Sequence, residues 1–437
     1  MITDSILRRM GVAPHTQDLS TDKSFADATV VPLATGRITV VTGPSGSGKS
    51  RLLRTLLTRR AERVHWVSPS NVPATGELPA QWLERTRPAS DCPADEPTAE
   101  KRISQALYAV GLSDPRLLTT RLDCLSAGER ARLALAAALL NARRLDTLVI
   151  DEFGAELDSA SARALAASLK KLARRMELRC ALATHRHEVL PELCALRHLR
   201  VSTDGKAEDF PCPTGPALLS QLGVTEAPRG MWDSFARYHY RGESPGVATR
   251  SFVAAIDGRS IGIVVYGHAG LSNAGRRTML GREYWGGPAG ERLRLVNRDM
   301  RVLQRLVVLP AFRGAGIGRE LVRRSVGLLG VRHVEVIALD TTLFQQAGFV
   351  GDVALSRPVA VSALNQWVQE QGLRLESLAD ADLRERWLAS LEMPARERFD
   401  LLLRRALRAW TEPRKSSLRG AVDRDGLTDR KSTRLNS

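Results

Sequence analysis

The sequence is short of the features that mark secreted and membrane-bound proteins. Its 437 residues hold five cysteines, Cys92, Cys124, Cys180, Cys194 and Cys212, an odd number without a C-x-x-C pair. That argues against a disulfide framework or a zinc cluster and for a reducing compartment. No apolar run reaches the roughly 18 residues that a membrane-spanning helix needs. The start, Met1 to Arg9, lacks the charged-then-apolar order of a secretory signal. A cytoplasmic location and no membrane partner are therefore expected. Lysine is scarce as well, with 8 among the 64 basic residues.

What is present is globular in composition, 43% hydrophobic and 26% charged, at a length suited to roughly three domains. The net charge of +16 has two readings. Clustered arginines gain affinity for DNA or RNA by releasing counterions from phosphates. The same arginine excess also follows from a GC-rich genome.

The first region alternates strands and helices, which predicts a parallel sheet covered on both faces. Arg37-Ile-Thr-Val-Val-Thr enters a glycine turn, and a helix is expected from Lys49 to about Arg60. Further strands are expected at Val64–Val67, Leu148–Ile150 and Cys180–Ala183, and helices near 98–110 and 159–176. Residues 68–98 read as a loop or a loosely helical insertion. Three prolines within Phe210–Pro216 mark a boundary. Beyond it, two β-rich runs flank Asp257-Gly258, a hairpin signal. A strand (303–309), a glycine turn, a helix (319–329) and a strand (334–339) follow, then helical pattern to about Trp410. Between Pro394 and Ser437 there are 12 Lys/Arg against 6 Asp/Glu, and periodicity ends at Trp410. The expected division is an N-terminal extension (1–24), a nucleotide-binding domain (25–210), a linker (211–228), a second α+β domain (229–360), a helical extension (361–412) and a disordered or artefactual tail (413–437).

Gly43-Pro-Ser45-Gly46-Ser47-Gly48-Lys49-Ser50 fits G-x-x-x-x-G-K-[ST] between a strand and a helix. Its glycines let backbone amides wrap phosphates, and the helix start adds positive potential. Lys49 is expected on the β and γ phosphates of ATP and Ser50 on Mg²⁺. The strand ending in Asp151-Glu152 would add a second Mg²⁺ ligand, Asp151, and a carboxylate, Glu152, that activates the attacking water. Leu125-Ser126-Ala127-Gly128-Glu129-Arg130 runs into an Ala/Leu-rich helix and resembles the signature of ABC-type ATPases. Ala155-Glu-Leu-Asp158 is similar to that family's D-loop, and Ala183-Thr-His185-Arg to its switch histidine. The resemblance implies that Ser126, Gly128 and Glu129 reach the γ-phosphate bound by a second copy, hence a homodimer. It also implies that His185 contacts the γ-phosphate. Ala127 and Glu129 stand where many members carry Gly and Gln. Gln81 and Gln105 are weak candidates for the Q-loop, where Ser70-Asn71 follow the strand instead.

A second glycine turn, Val308-Leu-Pro-Ala-Phe-Arg313-Gly314-Ala315-Gly316-Ile317-Gly318, resembles the cofactor motif of GNAT acetyltransferases. That resemblance implies a fold of an α/β P-loop ABC-type ATPase followed by an α+β GNAT domain and a helical extension. It also implies an acetyl-CoA or other acyl-CoA pyrophosphate on residues 313–318. Phe344 occupies the region where the family often places a tyrosine acid and cannot act as one, which leaves the general acid open; the cluster Tyr238-His239-Tyr240-Arg241, with Glu243 beyond, is a candidate source of acid and base. His239 and Tyr240 are the catalytic candidates, and the tyrosines read equally as packing residues. The His-Tyr patch also resembles Mom-type phage DNA-modification enzymes. The expected function is an ATPase fused to a CoA-dependent N-acyltransferase acting on a nucleic-acid amine. Two alternatives stay open: acylation of a protein or small amine, and an ATP-dependent nucleic-acid clamp with an inactive transferase fold.

Overall fold

The computed structural model describes residues 33–57, 63–86, 99–213, 215, 217–228, 230–239, 245, 248–271, 276, 279–338, 341–350, 359–379 and 381–411. The proposed extension 1–24, the tail 413–437, and Tyr240, Arg241 and Glu243 lie outside them. The chain divides into two compact units. One spans Met1–Gly223 with Ala255–Ile261 and Val308–Ile317; the other spans Val224–Ala254, Gly262–Val307 and Gly318–Ser437.

The first unit is built on strands β1 (Ile38–Thr42), β2 (Val64–Val67), β3 (Thr147–Ile150), β4 (Arg179–Ala183), β5 (Arg197–Val201) and β6 (Ala207–Phe210). They stand in the order β2-β3-β4-β1-β5-β6, all parallel except β6 against β5. The runs ITVVT and TLVI are buried on both faces, as parallel strands between helix layers must be. Helices α1 (Lys49–Leu57), α2 (Pro79–Thr86), α3 (Ala99–Ala109), α4 (Ala127–Asn141) and α5 (Ser159–Arg175) surround them. Leu52, Leu53 and Leu56 of α1 join Val41, Val149 and Leu199 in one core; α3, α4 and α5 bury their apolar sides in the other.

Within 68–98 the first helix, α2, forms because Trp82 and Leu83 are buried in the core. Residues 211–228, expected to be a linker, include a buried turn at Leu218–Ser220 and strand β7 (Gly223–Glu226). Leu218 and Leu222 are buried, and Glu192 accepts the Leu218 amide at 2.6 Å, so this stretch is packed rather than free.

The second sheet has the order β11-β10-β9-β8-β7, with β8 (Ala248–Ile256), β9 (Arg259–His268), β10 (Met300–Val308) and β11 (His333–Val336). The hairpin turn between β8 and β9 is as expected: Asp257 (φ +50°) and Gly258 (φ +75°) are both left-handed, the signature of a tight two-residue turn. Helix α6 (Ala289–Asp299) leads into β10 and α7 (Ile317–Leu328) links β10 to β11. β11 pairs parallel to β10 only from Met300–His333 to Leu303–Val336, whereas β10 runs on to Val308. The C-terminal helices α8 (Val359–Glu370), α9 (Ala381–Ser390) and α10 (Met393–Thr411) close a small core of their own around Trp367, Val368 and Phe399, with Trp387 edge-on to Phe399 at 5.3 Å.

Candidate functional site

The three phosphate-related motifs meet because of strand register. β1, β4 and β3 are successive parallel neighbours, with Val41 opposite Ala183 and Ile150 opposite Leu182. The P-loop leaves the C-terminal end of β1, Thr184-His185 that of β4, and Asp151-Glu152 that of β3. Strand spacing puts β1 and β3 about 10 Å apart, the scale of a nucleotide's phosphate tail with its metal.

The P-loop turns at Gly43, Gly46 and Gly48, with φ of +155°, +77° and +94°. A Cβ at Gly43 would sit 2.3 Å from the Val201 carbonyl, so only glycine lets the chain pass β5. A Cβ at Gly46 would meet nothing, which leaves the loop mouth open. The Ser47 hydroxyl is buried and has no hydrogen-bond partner among the described residues. Lys49 opens α1 and donates to the carbonyls of Gly43 (2.9 Å) and Pro44 (2.7 Å). An orphan hydroxyl, an open mouth and an ammonium in the loop fit the triphosphate of ATP. Ser50 and Asp151 carry hard oxygens of the kind Mg²⁺ takes.

Asp151 accepts the Glu152 amide at 3.0 Å. Glu152 is solvent-exposed and left-handed (φ +53°), an uncommon conformation for a residue with a side chain. His185 is exposed at the end of β4. Two residues passed over in the sequence belong to this site. Buried Thr184 donates its hydroxyl to the Phe153 carbonyl (2.9 Å), and Arg186 donates to the Ala155 carbonyl (3.3 Å). A hydroxyl and a cation flanking His185 were the only signals the sequence offered for them.

The signature segment folds as a helix start. Ser126 caps α4 by accepting the Glu129 amide, and the Glu129 carboxylate accepts the Ser126 amide at 2.8 Å and its hydroxyl at 2.7 Å. This reciprocal pairing satisfies two donors that a helix N-terminus otherwise leaves unpaired. A Cβ at Gly128 would lie 2.8 Å from the Glu156 carbonyl, so the glycine is needed for close approach of the D-loop. Asp158 caps α5 through the Ser161 amide at 2.9 Å. Neither glutamine lies in a Q-loop position. The Gln81 side chain accepts the Leu78 amide at the start of α2, and Gln105 is exposed on α3. Ser70 and Asn71 instead bond Ser68 in a short capped turn.

The second glycine turn is packed within the first unit. Arg313 donates Nε to the Val308 carbonyl (2.9 Å) and Nη1 to Ser113 (2.6 Å), and lies over the Tyr108 ring. Burial lowers its guanidinium pKa. Lys171 of α5 donates to the Gly314 carbonyl at 2.8 Å. A Cβ at Gly314 would stand 2.0 Å from the Ser168 hydroxyl, and one at Gly316 would stand 3.1 Å from the Lys171 ammonium. The space that glycines would leave for a CoA pyrophosphate at 314 and 316 is thus taken by side chains of α5. Glycine at 314 and 316 is needed for the close approach of α5. Ala315, Ile317 and Gly318 are buried or nearly so at the start of α7. His239 follows a short helix, Met231–Ala236, edge-on to Trp232 at 5.7 Å. Phe344 is buried against Phe349.

Gly314→Ala is expected to lower the denaturant midpoint. Its left-handed φ of +80° costs an L-residue about 1–2 kcal/mol before any clash. Adding Ser168→Ala removes the clash and returns only that part of the loss.

No helix among the described residues is long and apolar enough to cross a membrane. A family profile described as ABC transporter matches residues 29–153. The zinc import ATP-binding protein ZnuC of Alcanivorax borkumensis is 34% identical over 175 residues, 36% of this chain and 61% of that protein. The chain thus spans less than two thirds of that relative. The sulfate/thiosulfate import ATP-binding protein CysA of Mycobacterium bovis is 30% identical over 262 residues, 52% of this chain and 69% of that one. A solved dimeric bacterial ABC transporter cassette aligns at a TM-score of 0.34 and 20% identity, over 41% of this chain and 88% of that one. With the P-loop, the paired carboxylates and the signature helix in place, and with a relative matched over 69% of its length, the chain belongs to the ABC family of ATP-binding proteins.

Proposed function

We propose that this chain hydrolyses MgATP at the shared ends of β1, β3 and β4, as a homodimer in which Ser126, Gly128 and Glu129 of each copy face the nucleotide held by the other. The observation that carries the reading is the parallel register that brings Lys49, Asp151, Glu152 and His185 to one edge of the sheet. The P-loop amides and Lys49 bind and orient the phosphates, while Ser50 and Asp151 hold the metal. Mg²⁺, when bound, neutralises charge on the β and γ phosphates. Glu152 accepts a proton from the attacking water at its carboxylate, and His185 donates towards the terminal phosphate. Phosphate release measured with MgATP, alongside the mass in solution with and without ATP, tests this. No turnover and an ATP-independent monomer would overturn it.

For residues 229–360 the proposed reading is a CoA-dependent N-acyltransferase acting on a nucleic-acid amine. It is supported by the order strand β10, glycine turn, helix α7, parallel strand β11, with β10 extending beyond its pairing with β11. The close approach of Ser168 and Lys171 to Gly314 and Gly316 stands against it. Calorimetry with acetyl-CoA and salt-titrated filter binding with DNA and RNA decide the matter. Thioester binding with acylation of proteins or small amines selects the first alternative. Salt-sensitive nucleic-acid affinity without turnover selects the clamp, and absence of CoA binding ends the acyltransferase reading.

A further inference from the structure

Glu152 is held in an unfavourable backbone conformation, and the end of β4 is what holds it. An L-residue in the left-handed region costs about 1–3 kcal/mol and persists only where the surroundings fix it. Three hydrogen bonds do so here. The Phe153 amide donates to the Ala183 carbonyl at 2.8 Å, the Thr184 hydroxyl donates to the Phe153 carbonyl at 2.9 Å, and Arg186 donates to the Ala155 carbonyl at 3.3 Å. The Ala155 amide returns to the Glu152 carbonyl at 3.1 Å and closes the turn.

Thr184 does more than hold one carbonyl. Its amide donates to the Val41 carbonyl at 3.0 Å, which fixes it beside the strand that carries the P-loop. Its hydroxyl also accepts the Arg186 amide at 3.0 Å, so the peptide that follows His185 is tied to the oxygen that holds Phe153. The residue is 1% exposed. The hydroxyl donates in one direction and accepts in the other, and no bulk water reaches such a buried point to replace it.

We propose that Thr184 is a positioning residue for ATP hydrolysis: its single buried hydroxyl sets the orientation of both Glu152 and His185. The proposal rests on the hydrolytic reading above. Removing the hydroxyl leaves the Phe153 carbonyl without a donor and the Arg186 amide without an acceptor. Glu152 then relaxes towards an ordinary backbone conformation, and its carboxylate leaves the line of the attacking water. The P-loop keeps its own bonds, so nucleotide affinity is untouched.

The test compares Thr184→Val, which keeps shape and branching, with Thr184→Ser, which keeps the hydroxyl. Valine is expected to lower kcat for ATP by about 10- to 100-fold, the effect of a small misplacement of reacting groups, with KM within about twofold. Serine is expected to restore kcat to within about threefold of wild type, since it retains the same donor and acceptor. Wild-type kcat in the valine variant, an equal loss of kcat and nucleotide affinity, or failure of serine to rescue would each overturn the proposal. If the valine protein does not fold, Thr184→Cys takes its place: a weak thiol donor predicts a kcat clearly below that of the serine variant, and a kcat equal to wild type refutes the role. Glu152→Gln run in parallel separates the two levels of argument. Should that variant hydrolyse ATP as wild type does, the assignment of Glu152 as the base fails whatever Thr184 does, and absence of turnover in wild type ends the hydrolytic reading itself.

Discussion

Glu152→Gln is expected to bind MgATP and to hydrolyse it at least about 100-fold more slowly, the usual contribution of a positioned general base. The amide keeps the size and hydrogen-bonding reach of the carboxylate but cannot take a proton from water. Nucleotide affinity should hold, because in the proposed site the P-loop amides and Lys49 take the phosphates and Ser50 and Asp151 the metal. Glu152→Gly gives the converse reading on the same residue. At φ +53° an L-residue pays about 1–2 kcal/mol that glycine does not. The glycine's freer unfolded chain returns about 0.4–1 kcal/mol of that. The difference favours glycine, so this variant should be inactive yet no less stable than wild type. Glycine would suit this backbone at least as well, so a glutamate here is consistent with the proposed role in hydrolysis. Retention of hydrolysis in the glutamine variant, or a lowered melting temperature in the glycine variant, would contradict this account.

The contrast between the two glycine turns shows how far such a site is legible in sequence. The P-loop could be read outright, since strand, glycine turn, lysine and helix start are local and each has its own physical cause. The turn at 313–318 has the same ingredients, including left-handed glycines at 314 and 316. Whether such glycines clear space for a ligand or for a neighbouring helix depends on what lies opposite. Here that is Ser168 and Lys171, nearly 150 residues earlier in the chain. The same limit hid Thr184. Its type and place after a strand are unremarkable until Phe153 and Arg186 are brought to its hydroxyl. The helix at 79–86 was obscured by the surrounding proline and serine, and it exists because Trp82 and Leu83 find a core to enter. Residues 211–216 do read as a break, yet the chain after them is drawn back into the first unit. What draws it back is a charge that no local pattern announces.

That charge is Glu192, and Glu192→Ala should destabilise the first unit by about 3–5 kcal/mol, the range for removing one member of a buried ion pair. Glu192 and Arg163 meet at 3.0 Å with side chains 6% and 9% exposed. The same carboxylate oxygen accepts the Leu218 amide at 2.6 Å, and Arg163 also donates to Gln221. Alanine therefore removes the carboxylate partner of the Arg163 guanidinium and the acceptor of the Leu218 amide together, and the segment 217–222 loses that polar anchor while its leucines remain apolar. Melting temperature should fall on the order of 10 °C, since each kcal/mol moves a unit of this size by about 2–4 °C. Glu192→Gln keeps an acceptor for Leu218 and a neutral partner for Arg163, so it should lose less than half as much. Hydrogen exchange of residues 217–222 should quicken in the alanine variant before that of β1 or β4 does, because the anchor is local and the sheet is not. A loss below about 1 kcal/mol, within the range of an exposed ion pair, would mean that the pair is solvated and that packing of Leu218 and Leu222 alone holds the segment.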